Sequence, residues 1–120
     1  MRDMCKYCRN LISAPICGNN VKSFAGTYMY CSNMIGTPVY SESMDNMYCS
    51  YQYCSNLTGS PVCGNNVVNF AVGYYSCTNL TGSPVCGTKV DNLHVTYKSC
   101  TNLTGYPVCG NNVVNFRRAY

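Results

Sequence analysis

The chain repeats every 23 residues without insertion or deletion. Cys8, Cys31, Cys54, Cys77 and Cys100 stand 23 apart, and all five prolines (Pro15, Pro38, Pro61, Pro84, Pro107) follow them by seven residues. A fixed period of this size predicts a repeat solenoid in which each repeat is one coil laid on the last. Five coils starting at those cysteines occupy nearly all of the 120 residues, so 1–120 reads as one solenoid domain. The repeat residues run to both termini, with no clear capping repeat.

Apolar residues hold fixed columns when each Cys is counted as position zero. Position three is Leu11, Met34, Leu57, Leu80 and Leu103; position eight is Ile16, Val39, Val62, Val85 and Val108. Position thirteen is Val21, Met44, Val67, Val90 and Val113; position sixteen is Phe24, Met47, Phe70, Leu93 and Phe116. Position twenty is Tyr in every coil: Tyr28, Tyr51, Tyr74, Tyr97 and Tyr120. Stacked at a strand-like spacing of about 4.8 Å, such columns become continuous ridges of like side chains. Position two is always Asn (Asn10, Asn33, Asn56, Asn79, Asn102), and position fifteen carries Asn46, Asn69, Asn92 and Asn115 after Ser23. A buried amide needs partners, so an internal Asn ladder is favoured over exposed turn residues at position two. Gly36, Gly59, Gly82 and Gly105 stand two residues before Pro38, Pro61, Pro84 and Pro107 and mark corners.

This order of residues resembles the BspA-type (Treponema pallidum-type) leucine-rich repeats of gut bacteria and their phages. The stretches Tyr74-Tyr-Ser-Cys77-Thr-Asn-Leu80 and Tyr97-Lys-Ser-Cys100-Thr-Asn-Leu103 carry the resemblance, with an aromatic three residues before a Cys and a Leu three after it. The chain departs from the family in the early place of its proline, six residues before Val90 in the fourth coil. The resemblance implies a leucine-rich-repeat-like coil, mainly β, with short parallel strands and irregular or 3-10 turns. It also implies adhesion or recognition at a microbial or viral surface, hence an extracellular, cell-surface or virion-associated place. No apolar run marks a secretory signal or a membrane span.

Chemistry-bearing residues are sparse. Four carboxylates (Asp3, Glu42, Asp45, Asp91) and one histidine, His94, share no repeating partner, so no catalytic site and no cofactor is expected. The net charge of +4 forms no basic stripe, which argues against nucleic acid. Eleven cysteines cannot all pair internally. Buried free thiols are favoured over disulfides across each coil, and Cys5-Lys-Tyr-Cys8 is a weak metal motif without a second pair at zinc spacing. Thr58, Thr81 and Thr104 form a ladder too short for an ice-binding face.

Two non-catalytic functions follow. Uncapped ends invite self-association, so Met1, Met4, Val113, Phe116 and Tyr120 are expected to join copies end to end into filaments. The alternative is a recognition module binding a host or cell-surface protein or glycan through exposed tyrosines, Tyr30, Tyr53, Tyr75 and Tyr106.

Overall fold

Tight turns, not extended strands, are what these residues form. The computed structural model describes residues 1–14 and 17–120; Pro15 of the proline column and Ile16 of position eight lie outside the described residues. Alternate N–H groups reach three residues back along the chain, as in Thr27 to Phe24 (2.8 Å), Cys31 to Tyr28 (3.1 Å) and Met34 to Cys31 (3.1 Å). The N–H groups between them point across to the following repeat: Phe24 to Asn46 (2.9 Å), Gly26 to Tyr48 (2.8 Å), Tyr28 to Ser50 (2.9 Å) and Tyr30 to Gln52 (2.8 Å). The same pattern recurs one period on, from Met47 to Tyr53, and again from Phe70 to Ser76. Nearly every backbone donor along this edge is thus used, as burial demands.

Two further lines of contact join neighbouring repeats. Thr58, Thr81 and Thr104 donate to Gly36, Gly59 and Gly82 at 3.0–3.1 Å. Cys63 and Cys86 donate to Val85 and Val108, while Val85 and Val108 donate back to Pro61 and Pro84. The proline, which has no N–H, thus serves as an acceptor. The body so formed measures 38 × 32 × 18 Å.

The expected leucine-rich-repeat-like solenoid, mainly β with short parallel strands and 3-10 turns, is corrected here. None of the described residues belongs to a strand or a helix. Pairing between repeats is reduced to isolated parallel bridges, such as Asn46↔Asn69, Asn69↔Asn92 and Val85↔Val108. The physical reason lies in two left-handed columns. Asp3, Gly26, Cys49, Val72, Val95 and Arg118 have φ of 51–64°, as do Tyr7, Tyr30, Tyr53, Ser76 and Ser99 at 59–64°. Each such residue turns the chain out of the extended region before a second ladder rung can form. For the β-branched Val72 and Val95 that conformation costs about 1–3 kcal/mol. The hydrogen bonds from Val72 to His94 and from Val95 to Arg117 hold it in place.

Inside, the Tyr column forms the spine. Tyr28, Tyr51, Tyr74 and Tyr97 are fully buried and stack at 5.2–6.2 Å between ring centroids. A buried phenol usually finds a partner, and among the described residues three of these four do. Tyr51 donates to the Val39 carbonyl (2.5 Å), Tyr74 to Val62 (2.8 Å), and the Tyr97 hydroxyl meets Cys86 Sγ (3.3 Å). Met34, Leu57 and Leu80, then Met44, Val67 and Val90, complete the core beside Phe24, Met47, Phe70 and Leu93.

The asparagines behave differently from expectation. At position two Asn10, Asn33, Asn79 and Asn102 are exposed, and one long contact, Asn79 to Asn56 at 3.5 Å, is what remains of the internal ladder. At position fifteen each side chain caps its own chain instead. Asn46, Asn69, Asn92 and Asn115 accept from the N–H two residues on, at 2.9–3.3 Å. This is an Asx turn, which fixes the corner leading into the buried turn region.

Candidate functional site

The thiols come first, because eleven of them could carry chemistry. All eleven are free. Those of position zero have a structural duty: Cys31, Cys54, Cys77 and Cys100 donate from Sγ to the carbonyls of Cys5, Tyr28, Tyr51 and Tyr74, each 26 residues earlier, at 2.9–3.0 Å. A small side chain that donates weakly and packs as a hydrophobe suits that position. Burial pushes the Cys31 and Cys100 thiols up to about 11, and it also raises Cys54 and Cys77 well above the ordinary thiol value. Such thiols are protonated and poor nucleophiles at neutral pH. Among the described residues no cluster of three or more His, Cys, Asp or Glu side chains could hold a metal ion.

The tyrosines expected to form one ligand surface divide between two places. Tyr30 stacks on Tyr7 (4.8 Å) and on Tyr53 (4.7 Å), and Tyr53 meets Tyr75 edge-on at 5.2 Å. Their faces are spent on one another, and each is half-buried. The Tyr75 hydroxyl beside it pushes the Tyr53 hydroxyl up, followed by desolvation. Tyr7 belongs to this ladder too, and its 23-residue offset from Tyr30 was the signal that sequence reasoning passed over. Tyr106 stands apart. It is 85% exposed, the most exposed large aromatic side chain.

Tyr106 sits on a braced corner. Thr104 donates to Gly82 (3.1 Å) before it, and Val108 donates to Pro84 (3.0 Å) after it. The Tyr120 hydroxyl donates to the Gly105 carbonyl, and its ring lies 6.0 Å from that of Tyr106. Leu103, Thr104, Gly105, Tyr106 and Tyr120 line a shallow hollow there. A Cβ at 105 would run into the Ser83 side chain directly beneath, which would have to shift. A projecting aromatic on a segment anchored at both sides gives contact area with little further ordering cost.

The residues expected to join copies lie at the two ends of the stack. Met4 is 63% exposed, whereas Met1 packs partly against the core and its carbonyl accepts from Thr27 Oγ1. Val113 also packs on the core, and Phe116 and Tyr120 are half exposed. His94 Nδ1 lies 3.1 Å from the Arg117 carbonyl. No helix among the described residues is long and apolar enough to cross a membrane.

Comparison with known proteins gives one family similarity. The model of the Kazal-type serine protease inhibitor domain matches residues 49–72 and again 95–119, together less than half of the chain. No curated protein and no solved structure matches. The two matched segments start two repeats apart, in the same register. Both contain Pro-Val-Cys-Gly-Asn-Asn-Val-Val-Asn-Phe, at 61–70 and 107–116, and the repeat between them reads Gly-Thr-Lys-Val-Asp after its second Cys instead. This match overturns the resemblance to BspA-type leucine-rich repeats. It also corrects what followed from that resemblance: neither a self-stacking filament through Met1, Met4, Val113, Phe116 and Tyr120 nor a leucine-rich-repeat adhesion module for surface proteins or glycans is supported.

Proposed function

We propose that the chain is a non-catalytic protein-binding module whose partner is a serine protease. The observation that carries the proposal is the twofold match to a protease-inhibitor domain, in register on two repeats. The braced corner at Tyr106 supplies the contact. A corner fixed at Thr104 and Val108 can present its side chain to a protease cleft, and an exposed Tyr side chain fills an apolar specificity pocket of the chymotrypsin type. The equivalent residue of the other matched segment is Ser60, which offers no such anchor. An extracellular place belongs with this function. Burial of Cys31, Cys54, Cys77 and Cys100 would keep those thiols reduced there.

Inhibition kinetics test the proposal. The intact chain is titrated against chymotrypsin-, trypsin- and elastase-type proteases with short chromogenic substrates. Preferential inhibition of the chymotrypsin type is expected, with Tyr106→Ala weakening it at least ~30-fold, as for a central anchor residue. Tyr30→Ala, in the self-stacked ladder, should leave it unchanged. If none of the three classes is bound or inhibited, the proposal fails.

A further inference from the structure

One pair of thiols differs from the rest. Whereas the sulfurs of Cys31, Cys54, Cys77 and Cys100 are tied to backbone carbonyls, Cys109 Sγ points at Cys86 Sγ, 3.5 Å away. The two residues occupy the same column of adjacent repeats. Beside them Val85 and Val108 form a parallel bridge, and the Cys86 N–H donates to the Val108 carbonyl at 3.0 Å. Paired backbones about 4.8 Å apart fall within the range of Cα separations, about 4.4–6.8 Å, that a disulfide spans without backbone movement. Cys109 is half-buried, and Cys86 is buried.

We propose that Cys86 and Cys109 are a modification site, closed to a disulfide between the fourth and fifth repeats by exchange with a small-molecule disulfide. The accessible Cys109 reacts first. Its thiolate attacks one sulfur of oxidised glutathione, and one glutathione leaves as a thiolate that takes up a proton. The Cys86 thiol then gives its proton to solvent, and its sulfur attacks Cys109 Sγ, expelling the second glutathione. Two protein thiols are oxidised and one glutathione disulfide is reduced to two thiols.

The Tyr97 hydroxyl, 3.3 Å from Cys86 Sγ, is placed to donate to that sulfur as it ionises. Burial pushes the Cys86 thiol up, so the second step is the slow one. The neighbouring Cys63 is engaged otherwise, its sulfur accepting the Gly87 N–H at 3.1 Å. The bond would tie the repeat that carries Tyr106 to the one before it.

The test is a thiol map of the intact chain after incubation with oxidised glutathione, with free thiols then alkylated and the digest read by mass spectrometry. A peptide pair joined through Cys86 and Cys109, lacking two hydrogens and carrying no glutathione, is the expected product. Cys109→Ser should leave Cys86 alkylatable. Cys86→Ser should hold the glutathione on Cys109. Because Cys86 is buried, the Cys109→Ser result and the wild-type map decide the matter if Cys86→Ser does not fold. A stable glutathione adduct on wild-type Cys109, or oxidation at Cys5 and Cys8 with Cys86 and Cys109 both alkylatable, would overturn the assignment.

Discussion

Residues 54–70 and 100–116 differ at two positions, Ser55 against Thr101 and Ser60 against Tyr106, yet they meet different surroundings. Phe70 is fully buried and Phe116 is 48% exposed. Leu57 and Cys63 are buried where Leu103 and Cys109 are only partly so. The same Val side chain is 40% exposed at 68 and 86% at 114. Local sequence therefore sets the turn, and the neighbouring repeat sets the burial. The third repeat exchanges backbone hydrogen bonds with the repeats before and after it, as in Thr58 to Gly36 and Phe70 to Asn92, whereas the fifth bonds back to the fourth, as in Thr104 to Gly82.

The largest consequence is at the phenylalanines. Phe70 packs edge-on against Tyr74 (5.3 Å) and Tyr97 (6.0 Å), so Phe70→Ala removes a buried ring from between two repeats. A loss of about 3–5 kcal/mol is expected. Phe116→Ala should cost about 1 kcal/mol, because half of the ring is already in water. Urea unfolding of both variants under reductant measures the difference. Equal losses would break the comparison, since the Phe116 ring would then be as well covered in solution as Phe70.

How far this was legible in the sequence depends on the kind of residue. The period, the buried Tyr column and the apolar columns at positions three, thirteen and sixteen could be read off, because a side chain repeated at fixed spacing must stack on its own kind. Strands could not be excluded, since Val, Phe and Tyr favour extended backbone, and nothing in Val72 or Val95 announces a left-handed φ. That conformation is imposed by hydrogen bonds to the next repeat, and those are non-local. Asn misled in the same way. Its amide can serve a ladder or its own chain, and the spacing of Asn69 to Ala71 decides for the second. At the candidate site Tyr106 was identified among the exposed tyrosines, but its separation from Tyr30, Tyr53 and Tyr75 follows from which edge of the coil each occupies. The Cys86–Cys109 contact was missed because pairing was sought across a coil and not between coils.

A smaller effect concerns the thiols of the covered repeats. Burial pushes Cys63, like Cys31 and Cys100, from an ordinary value of 9.0 up to about 11. A raised pKa for an acid that is neutral when protonated means that the unfolded chain ionises first as pH rises. Their contribution is therefore fully present below pH 9, declines as the pH climbs toward 11, and is lost above it. Urea midpoints measured from pH 8 to pH 11 should fall through that window. Cys63→Ala should flatten the fall. A midpoint that stays level to pH 11 in the wild-type chain would contradict the burial of these sulfurs.

The smallest expected difference is at the Asx turns, and it sharpens the comparison most because the two interactions are chemically alike. Asn69 Oδ1 accepts the Ala71 N–H at 3.1 Å, and Ala71 is buried beneath the following repeat. Asn115 Oδ1 accepts the Arg117 N–H at 3.3 Å, where Arg117 is exposed. Removing the acceptor in Asn69→Ala leaves a covered N–H without a partner, at a cost of about 1–2 kcal/mol. In Asn115→Ala water replaces the side chain, and the loss should stay within about 0.5 kcal/mol. Amide hydrogen exchange reads both sites directly. Exchange at Ala71 should speed up in Asn69→Ala, while Arg117 exchanges quickly with or without its Asn. Slow exchange at Arg117 in the wild-type chain would mean that the last repeat is covered in solution, and the contrast between the two segments would then rest on their two sequence differences instead.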